Sequence, residues 1–330
     1  MVKLGNLVRS LAVAGCAAAL AIGPVASAQA SSDFPSKPVR IVVGFAPGFG
    51  IDAAARFLAD EMSRQLPQPV VVENRPGAGG VISADYVARS EADGHTLVFT
   101  APGLAVVSHH LRDDLPYGLD DLASVSLIGL VPLVLITHPG SGYETLTDFI
   151  EAARAAPGTL TVGTAGVGTS NHMALVLLEM MADIDLVHIP YDGAEGRMDL
   201  MGGNIDAVID ASTTAAEYIR DGRVVALAIT TDTRTPALPD VPTVVEAGGP
   251  EGYFASNWYG LAAPAGTPSD VIAILNDAVA ASVAQPELLE RFEEMGVITR
   301  GTSAEEYQTF VEEQYEIMGE LVARVRAEGG

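Results

Sequence analysis

Cysteine and lysine are almost missing from this chain. Cys16 is the only cysteine, and Lys3 and Lys37 are the only lysines, among 330 residues. Cys16 lies in a segment that reads as a removable leader, so the processed chain would have no thiol, and disulfides, thiol catalysis and cysteine metal sites are excluded together. With Lys37 the one lysine left, Schiff-base chemistry and lysine clamping of phosphate have almost no candidate. Signature motifs are missing too: there is no G-x-S-x-G elbow, no G-x4-G-K-[ST] loop and no H-E-x-x-H pair. Basic charge is scarce, with 18 Lys and Arg against 42 Asp and Glu, a net charge of −24. Nucleic acid and anionic membrane surfaces are therefore excluded as expected partners, whereas a small anion held by local amides is not.

An apolar run at residues 11–22 follows Lys3 and Arg9 and precedes Pro24 and Ala26-Ser27-Ala28. That is the pattern of an export signal cleaved near Ala28 or Ala30, and the run is short of the roughly 20 residues a membrane span needs. Residues 1–30 are thus read as a signal peptide and the protein as periplasmic. Val13-Ala14-Gly15-Cys16 offers a minor alternative, a lipoprotein anchored at Cys16. Losing the leader removes two positive charges and no acid, making the mature chain more acidic still.

With 48% hydrophobic residues, the chain has material for a large core and for about two domains. Apolar, β-branched stretches at 39–45, 70–73, 96–100, 160–163, 186–189, 207–210 and 224–229 alternate with helix-like segments, which predicts an α/β fold with a largely parallel sheet. Thr145 with Asp148, and Ser303 with Glu306, have the spacing of capping pairs, and Asp52 is placed to cap the helix that runs to Gln65.

One arrangement occurs twice. The strand at 39–45 passes through Pro47-Gly48-Phe49-Gly50 into a helix, and the next strand ends in Gly77-Ala78-Gly79-Gly80. The strand at 160–163 passes through Ala165-Gly166-Val167-Gly168-Thr169 into a helix at Ser170, and its successor ends in Pro190-Tyr191-Asp192-Gly193-Ala194-Glu195-Gly196. Glycines allow tight turns with accessible amides, and a helix N-terminus leaves its first N–H groups unpaired, so each loop suits a carboxylate or phosphate. Two lobes facing each other would bring both loops to one small anion. The plainer reading is a pair of ordinary βα turns.

Gly48-Phe49-Gly50-Ile51-Asp52-Ala53 also fits G-x-G-x-x-A, with Glu73 where a ribose-binding acid would stand. The alternative is therefore an exported nicotinamide or flavin oxidoreductase. Against it, Asp52 would crowd a pyrophosphate, and the second loop lacks the fingerprint. His109-His110 reads as a solvated loop, and Ser170 as a cap and anion ligand, not a nucleophile. His172 and Asn171 could reach the pocket from the first helical turn, and Asp210 could line the cleft or cap the following helix.

At these residues the sequence resembles a known family. "FPSKPVRIVVGFAPGFGIDAAARFLADEM", "PVVVENRPGAGGVISADYVARSEADGHTLVF", "GTAGVGTSNHMA", "IPYDGA" and "WYGLAAPAGTP" look like the periplasmic solute receptors of tripartite tricarboxylate transporters, the Bug-type receptors. The resemblance implies a two-lobed periplasmic-binding-protein (Venus flytrap) fold, each lobe a mostly parallel sheet flanked by helices. It implies lobe 1 from residues 31–130 and 255–330, lobe 2 from 131–254, and crossing segments near 127–133 and 254–261. The implied function is reversible binding of a small carboxylate and its delivery to inner-membrane permease subunits, without catalysis, cofactor or metal; a periplasmic sensor would bind in the same way. Monomer is the default state.

The expected ligand contacts are Ala46, Pro47, Gly48, Phe49, Gly50 and Asp52 from the first loop, with Gly79 beyond the second strand. Thr164, Gly166, Gly168, Thr169, Ser170 and His172 are expected from the other lobe, with Tyr191 and Asp210. Phe49 and Ile51 stand where the family is usually smaller, which favours an aromatic or aliphatic ligand body over a compact tricarboxylate. Asp192 stands where Lys or Arg is common, and Trp258 is expected to pack in the hinge.

Overall fold

The computed structural model describes residues 34–48, 50–191 and 195–327. The signal-peptide assignment, Cys16, Phe49 and Asp192 therefore fall outside the described residues.

The first lobe begins with β1 (Val39–Val43), α1 (Gly50–Gln65), β2 (Val70–Asn74), α2 (Val81–Ala88), β3 (Thr96–Thr100) and the short α3 (Ser108–Leu111). The chain then runs along β4 (Leu122–Thr137), a 16-residue strand. The second lobe follows with α4 (Leu146–Ala155), β5 (Thr161–Thr164), α5 (Ser170–Ala182), β6 (Val187–Pro190), α6 (Glu195–Met201), β7 (Ala207–Ala211), α7 (Ser212–Arg220) and β8 (Val225–Ile229). β9 (Ser256–Pro264) returns to the first lobe, which closes with α8 (Ser269–Val283), α9 (Pro286–Glu294), β10 (Ile298–Thr299) and α10 (Ala304–Ala327).

The strand order is β2-β1-β3-β9-β4-β7-β5-β6, with β8 and β10 also on β4. β1, β2 and β3 are parallel, as are β5, β6 and β7, while β4 and β9 run antiparallel to their neighbours. β4 joins the lobes: from Leu122 to Pro132 it pairs with β9, and from Leu133 to Thr137 with β7 and β8. The sheet is thus mixed, parallel within each repeated unit and antiparallel where the chain crosses.

Successive residues of the inner strands serve opposite cores, which is why these strands read as continuous apolar runs. In the first lobe Ile41, Leu97 and Phe99 pack under α1, α8 and α9, with Leu58, Leu275 and Phe292. Val42 and Val98, on the other face, pack with Trp258 and with Tyr307 of α10. In the second lobe Leu133, Leu135 and Val162 meet Phe149 and Leu175, whereas Val134, Ile136 and Val208 meet Leu200 and Ala215. α10 touches both lobes, because Leu321 and Val322 near its end bury against Met173 and Val176 of α5.

Both capping pairs form. Thr145 and Asp148 exchange side-chain-to-backbone hydrogen bonds at 2.9 and 3.1 Å, and Ser303 and Glu306 do so at 2.9 and 3.2 Å. His109 and His110 depart from the expected solvated loop. They lie in α3 against Tyr117 and Tyr315, with His110 Nε2 2.9 Å from the Tyr315 carbonyl oxygen.

Candidate functional site

In each lobe the first strand of the repeated unit is central, giving β2-β1-β3 and β6-β5-β7. Where parallel strands diverge to either side of a central one, a crevice opens at their carboxyl ends, and ligands of open α/β sheets bind there. Both glycine loops leave from those ends. Gly44, just after β1, has no room for a side chain: a β-carbon would stand 2.6 Å from both Gly80 Cα and Ser83 Oγ, so α2 begins hard against the end of the first strand.

In the first loop Ala46, Pro47 and Gly48 lead to α1, which starts at Gly50. Gly48 has φ +92° and open space where a side chain would project, and Gly79, in the turn before α2, has φ +68° and equally open surroundings. Asp52 lies in the first turn of α1 and not at its cap, because the helix begins earlier than the sequence suggests. It is 3% exposed, and its carboxylate accepts from the Gly48 amide at 3.0 Å, Asn74 Nδ2 at 2.7 Å and Arg56 Nε at 3.1 Å. Burial pushes its pKa up, but the bonds from Arg56, Asn74 and Gly48 outweigh that and hold the carboxyl below its ordinary range. Asp52 therefore shapes the loop from inside.

In the second loop Gly166 and Gly168 take φ +111° and +77°. The cap of α5 is Thr169 and not Ser170, since Thr169 holds the extended conformation whose Oγ1 accepts the His172 amide at 3.3 Å. Thr169 Oγ1 also donates to the Gly166 carbonyl at 2.7 Å, leaving Ser170 as the first helical residue. His172 Nδ1 accepts the Gly168 amide at 3.1 Å, so the neutral ring carries its proton on Nε2. Its ring stacks on His188 at 3.9 Å and 10°, and His188 Nε2 lies 2.7 Å from Thr164 Oγ1. Burial, with His188 alongside, depresses the His172 pKa to about 4, and burial lowers that of His188 too. A stacked pair of neutral imidazoles thus underlies the loop.

β9 reaches both loops. Asn257 Oδ1 accepts from Ser170 Oγ at 3.1 Å, and the Tyr259 hydroxyl oxygen would be 3.8 Å from a β-carbon on Gly50. Residues two apart on a strand share a face and are about 7 Å apart. β9 thus presents one side chain to the start of α5 and another to the start of α1. Trp258, between them, points the other way, is fully buried and packs on Tyr307 and Phe310. The Tyr259 hydroxyl has no hydrogen bond among the described residues, and burial pushes its pKa up to about 12, so it stays a neutral donor. Asn257 and Tyr259 went unnoticed in the sequence, although the alternation Asn-Trp-Tyr was a usable signal.

Tyr191 and Asp210 are placed at the same strand ends but are engaged by the protein. The Tyr191 amide bonds the Thr164 carbonyl at 3.0 Å, and its hydroxyl donates to Asp199 at 2.8 Å. Asp210 accepts from Arg197 Nη1 at 2.5 Å, and its other oxygen takes the Ala211 amide at 2.8 Å and Thr214 Oγ1 at 3.0 Å. Asn171 Nδ2 donates to the Ile209 carbonyl at 2.9 Å. Glu73, the candidate ribose acid, is held by Arg40 at 3.0 Å and Arg75 at 2.6 Å.

The receptor model described as "Tripartite tricarboxylate transporter family receptor" matches residues 54–326. Protein BugT of Bordetella pertussis is 36% identical over 314 residues, which span 92% of this chain and 95% of that protein. Two solved structures from Rhodopseudomonas palustris are similar across 88% of this chain: Rpa4515 with adipate, at 30% identity and TM-score 0.70 over 99% of its chain, and MatC with bound malate, at 31% and 0.68 over 100% of its chain. The two-lobed fold is that of periplasmic binding proteins of this kind.

Proposed function

The chain belongs to the tripartite tricarboxylate transporter receptor family, and from that premise we propose that it is an extracytoplasmic solute receptor that closes its two lobes on a small carboxylate and hands it to a membrane permease. The observation that supports this reading is the face of β9, from which Asn257 accepts from Ser170 at the start of α5 and the Tyr259 hydroxyl lies beside Gly50 at the start of α1. The amides of α5's first turn and the open positions at Gly48 and Gly79 suit a carboxylate, as a helix N-terminus favours negative charge. The malate and adipate held by the R. palustris relatives support an aliphatic carboxylate ligand. The lobes divide near residues 130 and 255, the chain is exported by its N-terminal signal, it acts as a monomer, and it turns over no substrate.

Isothermal titration with malate, adipate, citrate, benzoate and NAD tests this. Saturable binding of a carboxylate, with none of NAD, is the expected result. Binding of NAD alone would restore the oxidoreductase alternative.

A further inference from the structure

α10 carries six acids from Glu305 to Glu320 and no base before Arg324. Glu306, Phe310, Glu313 and Ile317 recur at helical spacing and share one face of it. That face walls a groove of about 780 Å³, whose opposite wall is Asp232 and Gly252 from the segment after β8. The floor is apolar: Leu127 and Leu130 of β4 lie there, with Phe254 and Phe310 edge to face at 6.3 Å. Trp258 packs on Phe310, so the groove lies on the side of β9 away from Asn257 and Tyr259 and is separate from the site described above.

Two features say what would fill it. Gln314, in its wall, is 6% exposed, and its side-chain amide has no hydrogen bond among the described residues. A buried amide without partners is costly, and this one offers a passing peptide backbone both an acceptor and donors. The second feature is charge: Asp232, Glu305, Glu306 and Glu313 line the groove with one base, Arg300, which Asp232 holds at 3.1 Å. Glu306 is engaged in the Ser303 cap, but the Glu305 and Glu313 carboxylates have no partner among the described residues. From Glu306 to Ile317 the helix advances about 17 Å, the reach of roughly five extended residues and more than a small cation needs. A second copy of this chain, with 42 acids against 18 bases, or an anionic lipid would bring like charge to it.

We propose that this groove docks a short basic segment of a protein partner, with apolar side chains on Phe254 and Phe310, lysines or arginines on Glu305 and Glu313, and backbone on Gln314. Asp232 and Gly252 come from the second lobe and α10 from the first, so the docked segment touches both. The inference stands apart from the carboxylate reading, and its test uses no carboxylate.

The test is isothermal titration of the purified mature protein with a capped peptide of about six residues in which leucine and lysine alternate, roughly 20 Å when extended. Wild type should bind it about tenfold or more tightly than the same peptide with glutamate for lysine or serine for leucine. Glu305→Gln/Glu313→Gln should weaken binding about fivefold or more, whereas Glu144→Gln/Glu151→Gln, an equal loss of charge at exposed acids outside the groove, should change it less than about twofold. Gln314→Leu should weaken binding about fivefold without lowering the melting temperature, since it removes an amide that bonds nothing in the described chain. Should Gln314→Leu not fold, Thr309→Arg, at an exposed position in the groove, takes its place and should abolish binding. Equal weakening by the two acid pairs would reduce the effect to net charge and overturn the inference, as would a wild type that does not bind the peptide. Spermidine binding as tightly as the peptide would make the groove a small-cation pocket, and a wild-type dimer that Thr309→Arg dissociates would make it a contact between copies; either result also overturns the inference.

Discussion

Replacing His172 by asparagine separates the stacked imidazole pair from every other acid-sensitive feature of the protein. In the folded state His172 accepts the Gly168 amide and is buried, with its pKa depressed to about 4. In the unfolded chain the ordinary value is about 6.5. Because the folded value is the lower one, the unfolded state takes up the proton first. Stability from this group is fully present above about pH 6.5 and is lost as pH falls toward 4. Between pH 7 and pH 5 the difference in proton uptake amounts to about 2 kcal/mol. The substituted amide side chain would offer an acceptor to Gly168 but no proton site. Urea unfolding of both proteins at pH 7 and pH 5 should show wild type losing about 2 kcal/mol more than His172→Asn. The carboxylates with depressed pKa, Asp52 and Glu73, titrate below this window and affect both proteins alike. Equal losses in the two proteins would refute the claim that this ring is held neutral beneath the loop.

Other substitutions follow from the same geometry. Asp52→Asn faces the Gly48 amide, Asn74 Nδ2 and Arg56 with a group that is half donor, and should cost about 2–4 kcal/mol in urea unfolding. In wild type that stabilisation should fade as pH falls through the depressed pKa, below the ordinary carboxyl range. A β-carbon on Gly260 of β9 would overlap the Tyr307 hydroxyl and ring, so Gly260→Ala should destabilise by about 3 kcal/mol or more, read as a lowered melting temperature. Tyr259→Phe removes a hydroxyl that bonds nothing in the described protein. It should leave the melting temperature within a degree or so while weakening carboxylate binding about five- to tenfold in a titration, the worth of one hydrogen bond.

Much of this architecture was legible because local chemistry and fold agree. The repeated strand, glycine loop, helix and strand are visible as composition, and they became β1-α1-β2 and β5-α5-β6. Thr145 with Asp148 and Ser303 with Glu306 announced two helix starts through spacing alone. Asp52 was harder. Its partners Asn74 and Arg56 become visible only when β2 lies beside β1, so the sequence shows the acid but not what holds it. Arg197 was missed for the same reason, since its pairing with Asp210 depends on the packing of α6 against the end of β7. The crossing strands are legible in place but not in extent: 127–133 falls inside Leu122–Thr137, and 254–261 is shifted toward the start of Ser256–Pro264. β4 is buried on both faces for most of its length, and a run without alternation carries no mark of where it begins or ends.

The central claim is that one small carboxylate is gripped from both lobes at once. Residues 31–330 include no cysteine, so Asp60→Cys on α1 and Glu151→Cys on α4, both exposed, can carry a pair of spin labels and nothing else will react. The distance between them should be measured by pulsed electron resonance, without ligand and at saturation with a carboxylate that titrates. On binding, the mean distance should shift and its distribution should narrow. Saturable binding that leaves the distribution unchanged would mean that the ligand sits on one lobe alone and that the two lobes do not grip it together.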